Sequence, residues 1–177
     1  MPSIMYGTAW KKEKTTDLVV AAVRAGFRGI DTACQPKHYY EPGVGQALQR
    51  LAAEDGIQRE EIFLQTKFTP LRGQDPKNVP YDTNAPLPVQ VQQSLATSLR
   101  NLQTTYIDSL VLHSPLDSHK NTMVVWREFE AFVRQVTQTS RPLAWQARVL
   151  ACRPVSVSAS PCSHADPVQS LVPHPFA

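Results

Sequence analysis

Four times between residues 3 and 135 a short apolar run is followed by a longer segment whose apolar side chains recur every three or four positions. The first run, SIMYGTA, ends in Gly7 and Thr8. Thr15, Thr16 or Asp17 then caps a helix through Arg24, with Leu18, Ala21, Ala22 and Ala25 on one face. Phe27 to Ile30 reads as a strand closed by Asp31, and a helix from about Pro42 to Ala53 aligns Val44, Ala47, Leu48 and Leu51. Ile62 to Thr66 is the third strand, with Lys67 at its end; Pro88 opens a helix that aligns Val91, Leu95, Leu99 and Leu102. Tyr106 to Leu112 leads to His113, and a helix over about Thr122 to Arg134 presents Val125, Phe129, Phe132 and Val133. Helix-length crossovers between successive strands are what parallel pairing demands. The expected fold is therefore α/β, a parallel sheet with helices packed outside it.

Parallel sheets carry their chemistry at the C-terminal ends of the strands. Three of the four predicted strand ends hold an ionisable side chain: Asp31, Lys67 and His113. The stretch from 25 to 48 is the densest of these. Gly26 sits where a helix C-cap glycine belongs, Asp31 follows the strand, and Glu41–Pro42 opens the next helix. The loop between them holds His38, Tyr39 and Tyr40. A second, longer loop runs from Phe68 to Pro86, rich in proline, asparagine and aspartate.

Composition excludes more than it assigns. A net charge of +3, with basic and acidic residues interspersed, gives no footprint for nucleic acid. No apolar run approaches the ~20 residues that span a bilayer, and the N-terminus lacks the pattern of a secretory signal. Cys34, Cys152 and Cys162 are widely spaced, without metal-ligand spacing, so no metal is expected and a reducing, cytoplasmic setting is the plain reading.

Brought to one face of a curled sheet, Asp31, Tyr39, Lys67 and His113 would form a proton-donating set for carbonyl reduction. A phenol with a reference pKa near 10 is a weak acid at neutrality, and a neighbouring ammonium lowers that value. An aspartate holds the ammonium charged and aimed, and a histidine can hydrogen-bond a carbonyl oxygen. Five segments in order, GTAW, GFRGIDTA, EPGVGQAL, FLQTKF and YIDSLVLHSP, resemble the aldo-keto reductases, a family of NADP-dependent oxidoreductases built on a (β/α)₈ barrel. The resemblance implies reduction of a small aldehyde or ketone, or the reverse oxidation of an alcohol. It implies Asp31, Tyr39, Lys67 and His113 as catalytic residues, NADP(H) as cofactor, and Gly7, Thr8 and Asp31 as cofactor contacts.

Two features depart from that pattern. Tyr39 lies eight positions after Asp31, farther than the family's usual spacing, so the extra residues of CQPK must loop out. Tyr39 is favoured because the chemistry wants a phenol, Tyr40 is the next candidate, and a strict count back from Val44 and Gly45 selects His38. The family barrel also needs ~250 residues, whereas resemblance here ends near residue 136. The sequence thus predicts a partial (β/α)₈ barrel of about four βα units over 1–136. Residues 137–177, rich in serine and proline and without periodicity, read as an irregular, disordered tail, with a short helix around Leu143 to Leu150. Unpaired strand edges in such a half-barrel would favour self-association. The alternative function is a non-catalytic product that lacks the cofactor-binding half and acts, if at all, as a binding partner.

Overall fold

The computed structural model of the protein describes residues 1–138, with side chains through Arg134. The main elements are β1 (Tyr6–Gly7), α1 (Thr15–Arg24), β2 (Gly29–Asp31), α2 (Glu41–Asp55), β3 (Phe63–Phe68), α3 (Leu87–Asn101), β4 (Ser109–Leu112) and α4 (His119–Gln138). All three strand pairs are parallel and the sheet order is β1-β2-β3-β4. This is the order of four successive βα units of a (β/α)₈ barrel. The expected boundary at 136 falls within the last turn of α4, and the tail beyond it lies outside the described residues.

Side chains alternate across each strand, so one sheet face meets the helices and the other does not. In β3, Leu64, Thr66 and Phe68 are buried, while Phe63, Gln65 and Lys67 are only partly covered. Leu64 and Phe68 join Ile30, Val19, Val23, Val44, Leu51, Val91, Val125 and Phe129 in one continuous apolar core. The opposite face carries the polar residues. Register places Gly7, Asp31, Gln65 and Ser109 in one row across the sheet, with Lys67 and Val111 paired in the next.

Element ends differ from the predicted ones for local reasons. Strand β2 starts at Gly29, because Gly26 takes φ +103° and Phe27 N–H still returns to Ala22 O. Strand β3 continues through Phe68, so Lys67 lies inside the strand. Strand β4 starts at Ser109 because Arg59 claims the residues before it. Its guanidinium stacks 4.0 Å over the Tyr106 ring and donates to Tyr106 O and to Asp108 Oδ2. Helix α4 starts earlier than expected, at His119, where Ser118 Oγ accepts from Asn121 N–H as an N-cap.

Two residues of α2 weld the layer together. A Cβ on Gly45 would collide with the carbonyl oxygen of Asn101 and stand 2.9 Å from Leu102 C, so only glycine lets α2 approach the end of α3. Glu41 is 3% exposed. Its Oε1 accepts from Thr66 Oγ1 (2.7 Å) and Ser98 Oγ (2.8 Å), and its Oε2 from Asn101 Nδ2 (3.2 Å). One carboxyl group thereby joins α2, β3 and α3. Burial pushes its pKa up against the pull of those three donors. Glu41→Ala leaves the donors without their acceptor inside the core and is expected to cost ~2–4 kcal/mol in urea unfolding. Gly45→Ala is expected to cost ~1–3 kcal/mol by overpacking in the same measurement. Midpoints within experimental error of the parent's would refute this account of α2.

Candidate active site at the strand ends

Lys67 projects from β3 on the face away from the core and meets Asp31, the last residue of β2. Its Nζ donates to Asp31 Oδ2 at 2.7 Å and to Thr32 O at 2.8 Å, with the two side chains 11% and 23% exposed. Burial lowers the lysine pKa and the adjacent carboxylate opposes that shift. His113 follows β4 directly, and its backbone N–H donates to Phe68 O at 2.9 Å. Its Nδ1 lies 2.8 Å from Thr69 Oγ1. Burial and then the neighbouring Lys67 charge hold its pKa below 6.5, so the ring is neutral at pH 7.

The aromatic partner of this pair is Tyr39. Its ring centroid stands 5.0 Å from Lys67 Nζ and 5.8 Å from the His113 ring, edge to face. The other two candidates turn elsewhere. Tyr40 lays its ring over Gly43 of α2, where an added Cβ would come within 2.6 Å of it. His38 stacks on the exposed Trp10 at 3.9 Å. The structure thus brings Asp31, Lys67, His113 and Tyr39 together and directs Tyr40 and His38 away from them. One expectation is corrected. The Tyr39 phenol is pushed above its ordinary pKa by burial and then by the Asp31 charge, not lowered by Lys67. The ammonium is bonded to Asp31 and Thr32 and meets the ring face, so its charge is largely spent on the carboxylate.

The long loop spacing is absorbed by specific anchors. Cys34 N–H donates to Lys67 O, and the N–H groups of His38 and Tyr39 both return to Gln35 O. Gln35 Nε2 donates to Gly73 O at 2.6 Å, while Gln74 Nε2 donates back to Cys34 O at 2.9 Å. The two glutamines cross-link the Tyr39 loop to the loop after β3. Cys34 is buried, and burial pushes its thiol up to about 12, which makes it an inert packing residue.

Of the residues expected to touch a cofactor, Gly7 is exposed at the end of β1 with nothing within 4 Å of a would-be Cβ, leaving the backbone open to approach. Thr8 is fully buried, and both its N–H and its hydroxyl donate to Asp31 O at 3.0 Å. It braces the residue that carries the carboxylate. A cavity of about 460 Å³ opens beside Tyr39, lined also by Trp10, Lys12, Lys37 and His38. Among the described residues, no cluster of His, Cys, Asp or Glu is placed to hold a metal, and no helix is long and apolar enough to cross a membrane.

Sequence reading missed Thr69, Gln65 and Ser109. Gln65 and Ser109 were accessible in principle, since Gln65 shares a face with Lys67 by simple alternation. Thr69 lies in a loop whose composition gives no hint of its contact with His113.

Residues 3–139 match the family model described as "Aldo/keto reductase family". The chain is 32% identical over 136 residues to a methylglyoxal reductase, DkgA, of Yersinia pestis, covering 76% of this chain and 42% of that one. It is 32% identical over 122 residues to aldo-keto reductase family 1 member C2 of Homo sapiens, covering 66% and 32%. An aldo/keto reductase of Brucella melitensis superposes with TM-score 0.58 at 30% identity, over 77% of this chain and 46% of the other. A Bombyx mori aldo-keto reductase crystallised with NADP gives TM-score 0.59 at 26% identity, over 77% and 44%. The chain spans less than half the length of these relatives. With four βα units in the right order, its strand-end residues gathered and its model match running from residue 3 to 139, the chain belongs to the aldo/keto reductase family.

Proposed function

We propose that this chain serves NADP(H)-linked reduction of a small aldehyde or ketone, or the reverse oxidation of an alcohol. The observation that carries this reading is the position of the Tyr39 ring between Lys67 and His113 at the strand ends. Tyr39 is the general acid. Its raised pKa keeps the proton on Oη through neutrality, available to a carbonyl oxygen as charge develops there. Lys67 supplies positive charge beside the phenol and Asp31 holds that ammonium charged and in place. Thr69 Oγ1, 2.8 Å from Nδ1 of His113, can give its hydroxyl proton to that nitrogen; the ring proton then sits on Nε2, free to hydrogen-bond a substrate oxygen.

A nicotinamide cofactor would supply the hydride. Open space over Gly7, which pairs with Asp31, fits the approach of a flat ring to the strand ends. Similarity to an NADP-bound relative supports the choice of cofactor. The proposal includes a cytoplasmic, reducing setting. The second reading is a chain that keeps the four side chains but does not hold the cofactor.

Titration of NADPH with the purified chain, followed by nucleotide fluorescence, separates the two. Micromolar binding is expected, and none up to millimolar would select the second reading. Given binding, Tyr39→Phe is expected to lower kcat for a generic aldehyde by at least ~100-fold. Tyr40→Phe and His38→Ala should stay within about threefold of the parent, because neither ring reaches the set. A Tyr40→Phe loss equal to that of Tyr39→Phe would overturn the assignment.

His113 supplies a test by pH. Its folded pKa is depressed, so the folded state resists protonation more than the unfolded chain does. The associated stability is fully present above pH 6.5 and is lost as pH falls through the lower folded value. His113→Gln is expected to flatten the urea midpoint between pH 7 and 5 relative to the parent; parallel profiles would refute it.

Strands β1 and β4 each have one strand neighbour among the described residues, and self-association through these edges belongs to the same proposal. A sedimentation coefficient that rises with concentration is expected. A monomer at every concentration, with a cooperative urea transition, would remove this part.

A further inference from the structure

One polar chain on the open sheet face reaches beyond the four proposed active-site residues. Register sets Asp31, Gln65 and Ser109 side by side on three adjacent strands. Gln65 Nε2 donates to Asp31 Oδ1 at 2.7 Å, and Ser109 Oγ donates to Gln65 Oε1 at 2.9 Å. Asp31 Oδ2 is the oxygen that takes Lys67. Each carboxylate oxygen of Asp31 therefore has its own donor, one from the strand's row and one from the next.

The direction of this chain is dictated by its ends. An ionised carboxylate only accepts, so the side-chain amide of Gln65 must turn its NH₂ toward Asp31. That leaves Oε1 toward Ser109, whose hydroxyl must then donate. Ser109 is fully buried and has a single proton to give. The amide of Gln65 gives each neighbour what it needs, whereas glutamate would face a carboxylate with another and an aliphatic side chain would leave Asp31 Oδ1 without this donor. Asparagine is one methylene short of the span.

We propose that Gln65, aimed by Ser109, is a positioning residue that fixes the Asp31 carboxylate so that Oδ2 stays on Lys67. Without it the carboxylate can rotate about its own terminal torsion, and the largely buried ammonium spends part of its time without a counterion. A buried lysine deprived of its anion gives up its proton more easily. The inference rests on Asp31 and Lys67 being the working ion pair of the proposed reductase, but the geometry can be tested without any turnover.

The experiment is an NMR titration of the full chain labelled with ¹³C-lysine, the Lys67 resonance being assigned by its loss in Lys67→Arg. In Gln65→Leu the Lys67 midpoint is expected to fall by about half a pH unit or more. A midpoint unchanged or raised, in a variant with the parent's far-UV spectrum, overturns the proposal. If Gln65→Leu does not fold, Ser109→Ala decides, since it removes one hydroxyl and keeps the glutamine. A lowered midpoint supports the relay and an unchanged or raised one overturns it. Where the parent reduces an aldehyde, Gln65→Leu is expected to cut kcat ~10- to 100-fold with KM within about twofold, and an unaltered kcat counts against the relay. A parent that titrates as described but has no activity would count against the reductase reading and not against the relay.

Discussion

The ion pair between Lys67 and Asp31 is the interaction on which the site depends. Both groups are mostly removed from water, at 11% and 23% side-chain exposure, and a bare pair at that depth repays its desolvation only when the remaining hydrogen-bonding positions are filled. Here they are. The ammonium has a second acceptor in Thr32 O, and the carboxylate has a second donor in Gln65. Its backbone is held as well, with Asp31 O accepting both protons of Thr8. The pair is thus bound to three adjacent strands, and any change in sheet register would take it apart. Parallel pairing delivers Asp31, Lys67 and His113 to one end of the sheet.

Tyr39 reaches this pair from a loop, which needs a different kind of support. A loop of this length would ordinarily carry its tip side chain through a range of positions. The backbone of CQPKHYY is tied at several points: Cys34 to β3, His38 and Tyr39 to Gln35, and Trp10 N–H to His38 O. The crossed bonds of Gln35 and Gln74 then join it to the loop that supplies Thr69. Thr69 touches His113, and its carbonyl also accepts from Tyr81 Oη at 2.8 Å. Tyr39 and His113 are therefore set by the same pair of interlocked loops.

Much of this was legible in the residues. Period located every main strand and helix, because aliphatic spacing in α2 to α4 reflects a single buried core; in α1 the buried face is Val19, Val20 and Val23, while the expected Ala21 and Ala25 are exposed and no side chain caps the helix. Polar side chains at three strand ends were visible for the same reason, since each interrupts an apolar run. What escaped was decided by contacts distant in sequence. The start of β4 depends on Arg59, nearly fifty residues earlier. The preference for Tyr39 rests in the sequence on chemistry alone; the seat that Gly43 gives the Tyr40 ring, three residues on, shows there only as a helix glycine. The expected fall in the phenol's pKa failed because proximity of a lysine was weighed without its partners. An ammonium already committed to Asp31 leaves burial as the larger effect.

The two faces of the sheet divide the labour of the molecule. Toward the helices, Ile30, Leu64 and Phe68 pack into an apolar core. Glu41 is a buried polar member of that layer, accepting from Thr66, Ser98 and Asn101. On the other face the same strands alternate into Asp31, Gln65, Lys67 and Ser109, a polar row that would be costly to leave half satisfied. Because neighbouring residues in β3 belong to opposite faces, Thr66 serves the Glu41 lock while Gln65 and Lys67 serve the site. A one-residue slip of β3 would place Thr66 on the open face and bury Gln65 and Lys67 against the helices. Core packing and site geometry therefore select the same register, and the apolar residues that hold the helices in place also hold Asp31, Gln65 and Lys67 in line.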